Sequence, residues 1–193
     1  AARTQYDSTT SHKCASIVGA LLGDCEMPMS KEEPELNPDR ILGKTSGQLE
    51  GLLKKVHAGK DVLTDLERRL VMYKLDGWSA SSGLVPPARA CRMFGLGRFT
   101  ERIDVLIKFA VDGKKSPFTR RDACKGLRFM GVMNDEVIEA LLKASADEYF
   151  ETVVEALHAL NSLLGQHGRD GVSIQSMKRV ASELSKSKEF DVR

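Results

Sequence analysis

Helix-start signals and glycine stops recur along this chain, and between them apolar residues repeat at helical rather than strand spacing. Thr64-Asp65-Leu66-Glu67 is the clearest start. A threonine there accepts from the backbone N–H three residues on, while the glutamate reaches back to the threonine's own N–H. Behind it Leu66, Leu70 and Tyr73 mark one face, and Gly77 is the expected stop. Thr45 or Ser46 starts an earlier helix with Leu49, Leu52, Leu53 and Val56 on its apolar side, closed by Gly59. Ser11 caps a helix to Leu22, and Glu26 to Arg40, with three prolines, reads as a loop. Further on, Pro86-Pro87 suits a helix start, and Gly95 and Gly97 break that helix. Thr100 caps the next, whose Ile103, Val105, Leu106, Ile107, Phe109 and Val111 cover most of its circumference, as in a buried central helix. After the Gly113 to Pro117 turn, Thr119 caps a helix to Met130, and Asn134 caps one to Ala144. A long helix follows from Asp147 to Leu164, with Phe150, Val153, Val154, Leu157 and Leu160 inward and Glu148, Glu151 and Glu155 outward. Ser173 caps a last helix on Ile174, Met177, Val180, Ala181 and Leu184. No segment alternates as a strand does, and no period repeats. The expected fold is therefore all-α.

At 193 residues the chain is long enough for a substantial core, in one large domain or two small ones. Ser79 to Gly83 is small and polar. The stretch Trp78 to Leu84 therefore predicts a linker between a subdomain at 1–84 and a basic one at 85–193. No apolar run reaches the ~20 residues that a membrane-spanning helix needs. Ala15 to Gly23 is too short, and too poorly flanked, for a signal peptide, and reads as a buried helix. Cys14, Cys25, Cys91 and Cys124 are scattered in apolar contexts without metal-finger spacing. They are expected to be reduced core thiols of a cytosolic or nuclear protein.

Charge is segregated. Between Pro86 and Arg128 stand Arg89, Arg92, Arg98, Arg102, Lys108, Lys114, Lys115, Arg120, Arg121, Lys125 and Arg128. Against these eleven cations are four acids, a net +7 in a chain whose total is +2. Val132 to Asp170 has eight acids and two bases, a net −6. The pattern fits a face for a polyanion and a second surface for something basic, a further copy of the chain included. It equally fits the solvated sides of ordinary helices. Arginines outnumber lysines seven to four in the basic block, which leans toward phosphate, of lipid or nucleic acid. Arg121, Lys125 and Arg128 recur on one side of their helix with Arg120 at its border. They predict an arc that lies on an anionic membrane. The phenylalanines of the block, Phe94, Phe99, Phe109, Phe118 and Phe129, fall at core spacing.

No catalytic constellation emerges, and the chain is not expected to be an enzyme. Gly43-Lys44-Thr45 resembles the end of a phosphate loop, but Pro38 occupies the position of the required first glycine. Gly95-x-Gly97 lacks a third glycine and a βαβ setting. His12, His57, His158 and His167 share no spacing with acids or a nucleophile. Glu148, Glu151 and Glu155 lack the Glu-x-x-His partners of a helical metal site. No metal and no cofactor is expected.

Taken in order, Ala58-Gly59-Lys60, Leu63-Thr64-Asp65-Leu66, Leu84-Val85-Pro86, the arginine-rich stretch to Arg98-Phe99, and the helix bearing Arg102, Asp104, Val105 and Lys108 resemble the orthomyxovirus matrix proteins, those of isaviruses most of all. The proline-rich insertion, the small size and the short tail depart from the influenza pattern. The family's His/Cys cluster, discussed there as a zinc site, has no counterpart here. The resemblance implies two small helical bundles joined by a linker. It also implies a polymeric shell on the inner face of a viral envelope, bound to anionic lipid on one side and to ribonucleoprotein or RNA on the other. Self-assembly, contact with envelope glycoprotein tails, and passage through host cytoplasm, nucleus and plasma membrane would accompany that role. A non-viral helical adaptor or nucleic-acid-binding module is the alternative.

Overall fold

The computed structural model describes residues 39–82, 85–168 and 173–186, all-α with no strand among them. The elements are α1 (Asp39–Leu42), α2 (Ser46–His57), α3 (Asp65–Ser79), α4 (Val85–Leu96), a 3-10 turn (Thr100–Arg102), α5 (Ile103–Val111), α6 (Pro117–Met130), α7 (Asp135–Ala144), α8 (Phe150–His167) and α9 (Ile174–Lys186). The expected Ser11 helix, the proline loop up to Pro38, Cys14 and Cys25 lie outside the described residues.

Four caps are as the sequence predicts, but Thr100 caps no helix: it opens the 3-10 turn, α5 starts at Ile103 without a side-chain cap, and α8 starts at Phe150 rather than Asp147. Thr64 Oγ1 accepts from Glu67 N at 3.2 Å, and Thr64 N donates to Glu67 Oε2 at 3.0 Å. Thr45 and Gln48 make the same reciprocal pair. Asn134 Oδ1 caps α7 through Val137 N, and Ser173 Oγ accepts from Ser176 N. At α6 the cap is Ser116 rather than Thr119. Its hydroxyl accepts from Thr119 N, and Pro117 takes the first helical position, where a missing N–H costs nothing. Gly131, at φ 71°, closes α6.

Gly77 does not stop α3, which continues to Ser79 and takes Trp78 with it. A glycine inside a helix costs only about 1 kcal/mol. Trp78 packs against the core, and Lys74 reaches from the same helix to the Leu42 and Lys44 carbonyls. The segment between α3 and α4 is therefore shorter than the linker expected from Trp78. The apolar core does not divide there either. Leu49, Leu53, Leu70 and Leu75 belong to one cluster with Phe94, Phe99, Leu127 and Leu160. Separate bundles are not what the packing displays.

The central helix is α6, not α5. Helix α6 packs against α4, α5, α7 and α8, and buries Thr119, Arg120, Asp122, Ala123, Cys124, Gly126, Leu127 and Met130. Helix α5, nine residues long, buries only Leu106, Phe109 and Ala110, because it meets α6 and α7 and leaves its other sides at the edge. Three further expectations change. Tyr73 is 51% exposed, Phe150 61% and Ile174 77%. Phe150 opens α8, before the first full turn can tuck under a neighbour. Helix α9 buries Ser176 and Val180 instead of Ile174.

Helices α4 and α6 cross at contact distance through two glycines. A Cβ on Gly95 would stand 2.2 Å from the Gly126 carbonyl oxygen. One on Gly126 would stand 2.4 Å from the Cys91 carbonyl oxygen. Gly95 is thus part of the crossing rather than the helix break that the sequence suggests. Helix α4 runs past it to Leu96.

Candidate anionic-surface interface

The crossing fixes where the cations of α4 and α6 can go, and most of them turn inward. Arg120 is 4% exposed. Its fork grips Asp147 through Nε to Oδ2 at 2.6 Å and Nη2 to Oδ1 at 2.8 Å, while Nη1 donates to the Lys115 carbonyl at 2.7 Å. The Arg120 guanidinium beside Asp147 holds that carboxyl below its usual range, and Asp147 in turn raises the arginine. Arg120 is buried with its fork on Asp147, out of reach of a lipid phosphate, so its place in the expected membrane arc is corrected. Arg128 Nη2 pairs with Glu155 Oε1 at 2.8 Å, half-buried against α8. Glu155 accordingly faces inward rather than outward. Helical periodicity placed these groups on a polar side. That side is covered by α8 and the turn before it, which carry Glu155 and Asp147 respectively.

Three other expected site residues are similarly engaged, and a fourth, Arg98, is not. Arg92 bridges Asp122, at 3.1 Å, and Glu50, at 3.1 Å. Arg89 donates to the Ser46 hydroxyl beside the same Glu50. The Glu50 carboxyl sits below its ordinary range: burial pushes it up, but Lys54 and Arg92 outweigh that. Arg102 binds Asp76 with both arms at 2.8 Å. Arg98 is exposed and has no ion-pair partner among the described residues. It is the sole non-glycine residue among them with a positive φ, 49°.

The +7 and −6 segments thus meet inside one chain, at Arg120–Asp147 and Arg128–Glu155. Charges paired this way are unavailable for pairing with a second copy.

Three cations stand at the N-terminal end of α6. Lys114 is exposed in the turn before it. Lys115 lies 4.3 Å from the centre of the Phe109 ring. Arg121 stacks 5.5 Å from the centre of Phe118 and shares Asp122 with Arg92. Phe118 is 48% exposed, and its ring meets Tyr149 edge-on with centroids 6.2 Å apart. Phe150, next along, is the most exposed aromatic ring described. Lys125 belongs elsewhere: its ammonium sits 6.0 Å from the Phe129 ring, toward the far end of α6.

The aromatic part of this surface was not foreseen. Phe118 and Phe150 sit at core spacing. What sets them apart is position, each within the first two residues of its helix, where the side chain points back over the end of the element. Cys91 and Cys124 are buried thiols, and burial pushes Cys91 up to about 12 and Cys124 up further. Among the described residues no group of side chains could hold a metal ion, and no helix is long and apolar enough to cross a membrane.

Comparison with protein-family models, with curated proteins and with solved structures found no match.

Proposed function

We propose that this chain is a structural matrix protein of the orthomyxovirus kind that attaches to an anionic bilayer through the N-terminal end of α6. The observation that carries this reading is Arg121 stacked on exposed Phe118, whose ring meets Tyr149, with Lys114 and Lys115 in the turn just before and exposed Phe150 next to Tyr149 in sequence. Cations that can reach headgroups, next to rings that can sit at the headgroup level, are what peripheral attachment requires. Each cation near an anionic leaflet contributes about 1 kcal/mol, so three give roughly 3 kcal/mol, less what exposed Glu148 and Glu151 subtract. A lone copy then binds weakly, and a shell of many copies binds well. Attachment is thus electrostatic, interfacial and dependent on assembly, without an inserted segment. Bridging to ribonucleoprotein and contact with glycoprotein tails belong to the same proposal.

Flotation with phosphatidylcholine vesicles, with and without phosphatidylserine, tests it. Wild-type protein is expected to float only with the anionic vesicles and to be released by high salt. Lys114→Glu, Lys115→Glu and Arg121→Glu together should abolish flotation, and Phe118→Ser should weaken it. Unchanged flotation of the triple variant would overturn the assignment. Tight binding to one defined peptide or nucleic acid, with no vesicle binding, would favour a helical adaptor or nucleic-acid-binding module.

A further inference from the structure

At the opposite end of α6 a half-enclosed cavity of about 320 Å³ is lined by His57, Arg98, Arg128, Phe129, Ser162 and Gln166. Its walls come from four places: the end of α2, the turn after α4, the last residues of α6 and the C-terminal part of α8. We propose that this cavity binds a phosphate group, either of a small soluble phosphate compound or of a lipid headgroup.

Three observations carry the proposal. The first is charge. Arg128 is paired on one side by Glu155, but Arg98 has no acidic partner among the described residues, so the cavity is net positive. Lys125, close to the Phe129 ring, adds to the field at its rim. The second is a pair of unsatisfied buried atoms. His57 Nδ1 and Arg128 Nε are both shielded from solvent without a hydrogen-bond partner, as are Glu155 Oε1 beside Arg128 and, away from the cavity, Arg92 Nε. Such atoms are rare and costly in a folded protein. A phosphate reaches them only as the cavity walls give, and then supplies an acceptor for the arginine Nε–H and a P–OH donor for a neutral imidazole nitrogen. Burial and the nearby Arg98 charge lower the pKa of His57, which favours that neutral form. Ser162 and Gln166, joined at 3.1 Å, place a hydroxyl and an amide on the third wall.

The third observation is the backbone of Arg98. An L-residue at φ 49° is strained where glycine would not be. The conformation is held from outside. Arg68 donates to the Gly97 carbonyl at 3.1 Å and to the Arg98 carbonyl at 2.9 Å, and Phe99 N returns to Phe94 O at 3.0 Å. Strain kept at one arginine that borders a polar cavity is characteristic of a binding position. It also supplies an unusually clean variant, since Arg98→Gly removes the guanidinium and relieves the backbone at once.

Calorimetric titration at constant ionic strength tests the site with two probes, inorganic phosphate and phosphatidylcholine vesicles containing phosphatidic acid. Arg98→Gly should unfold at or above the wild-type temperature, and its affinity should fall at least about tenfold, the loss of one charge-assisted hydrogen-bonding group. Binding of inorganic phosphate that needs Arg98 assigns a soluble phosphate compound. Binding confined to phosphatidic acid vesicles, again needing Arg98, assigns a lipid headgroup. Wild-type protein that binds neither probe, or Arg98→Gly with undiminished affinity, overturns the proposal. Phe118 and Phe129 are eleven residues apart on α6, about 16 Å along its axis. The Lys114/Lys115/Arg121 triple variant should therefore keep its phosphate binding even where its flotation is lost.

Discussion

Gly126→Ala isolates the contact on which the helix packing depends. The added methyl would sit 2.4 Å from the Cys91 carbonyl oxygen and 3.2 Å from Leu106 Cδ1. A carbon and a carbonyl oxygen settle no closer than about 3.3 Å, so α4 would have to withdraw by roughly 1 Å. That movement opens the crossing beneath Cys91 and Phe94, both wholly buried. Overpacking of this kind costs about 1–3 kcal/mol, and alanine returns up to about 1 kcal/mol of helix propensity. A net loss near 2 kcal/mol lowers the unfolding temperature by about 4–8 °C in a chain of this size. Gly95→Ala should be worse. Three backbone atoms of Gly126 would lie within 2.8 Å of its methyl, with no side chain able to give way. Gly51→Ala is the control: it lies within α2 with nothing inside 4 Å, so it should stabilise by about 0.4–1 kcal/mol. Urea unfolding followed by helical circular dichroism reads all three. Gly126→Ala as stable as Gly51→Ala would refute the close crossing.

Other perturbations separate the remaining features. Asp147→Asn strips the buried Arg120 of its counter-charge and should cost about 3 kcal/mol, whereas replacing both partners with Met and Leu should cost much less; equal losses would show that the pair is not buried. The Arg120 guanidinium holds the Asp147 carboxyl below its ordinary value of 3.8, so its contribution is complete above that pH and disappears as pH falls through the lowered folded value. Acid unfolding curves of wild type and Asp147→Asn should therefore converge at low pH, and parallel curves would contradict the linkage. Cys91, raised to about 12, and Cys124 should react with a thiol reagent at pH 8 only as fast as the protein opens, measured with Cys14 and Cys25 replaced by serine. Prompt modification of either would place a thiol at the surface.

The fold class and most helix ends were legible because capping is local chemistry. Thr64 and Glu67 are three residues apart, and so are Asn134 and Val137. The helix order in space was less legible. Helix α5 has the more apolar sequence, yet α6 occupies the centre, because the polar groups it buries are neutralised from a distance: Arg120 by Asp147, and Asp122 by Arg92. Periodicity scores such residues as surface and cannot see partners about thirty positions away. The basic block was visible, but pairing removes Arg120 and engages Arg92, Arg102 and Arg128 before any ligand arrives. The phosphate cavity joins His57 to Gln166 across more than half the chain, and no local pattern connects them.

The order of synthesis gives the Arg120–Asp147 pair a temporal side. A chain grows from its N-terminus at about 5–20 residues per second. Arg120 and Arg128 are therefore made before the carboxylates that pair with them. Asp147 follows Arg120 by 27 positions, an interval of about 1–5 s, and Glu155 comes later still. For that period the nascent protein has a local excess of positive charge and an unfinished core. Any polyanion near the ribosome competes with carboxylates not yet made, and closure of α8 onto α6 ends the competition by withdrawing Arg120 and engaging Arg128.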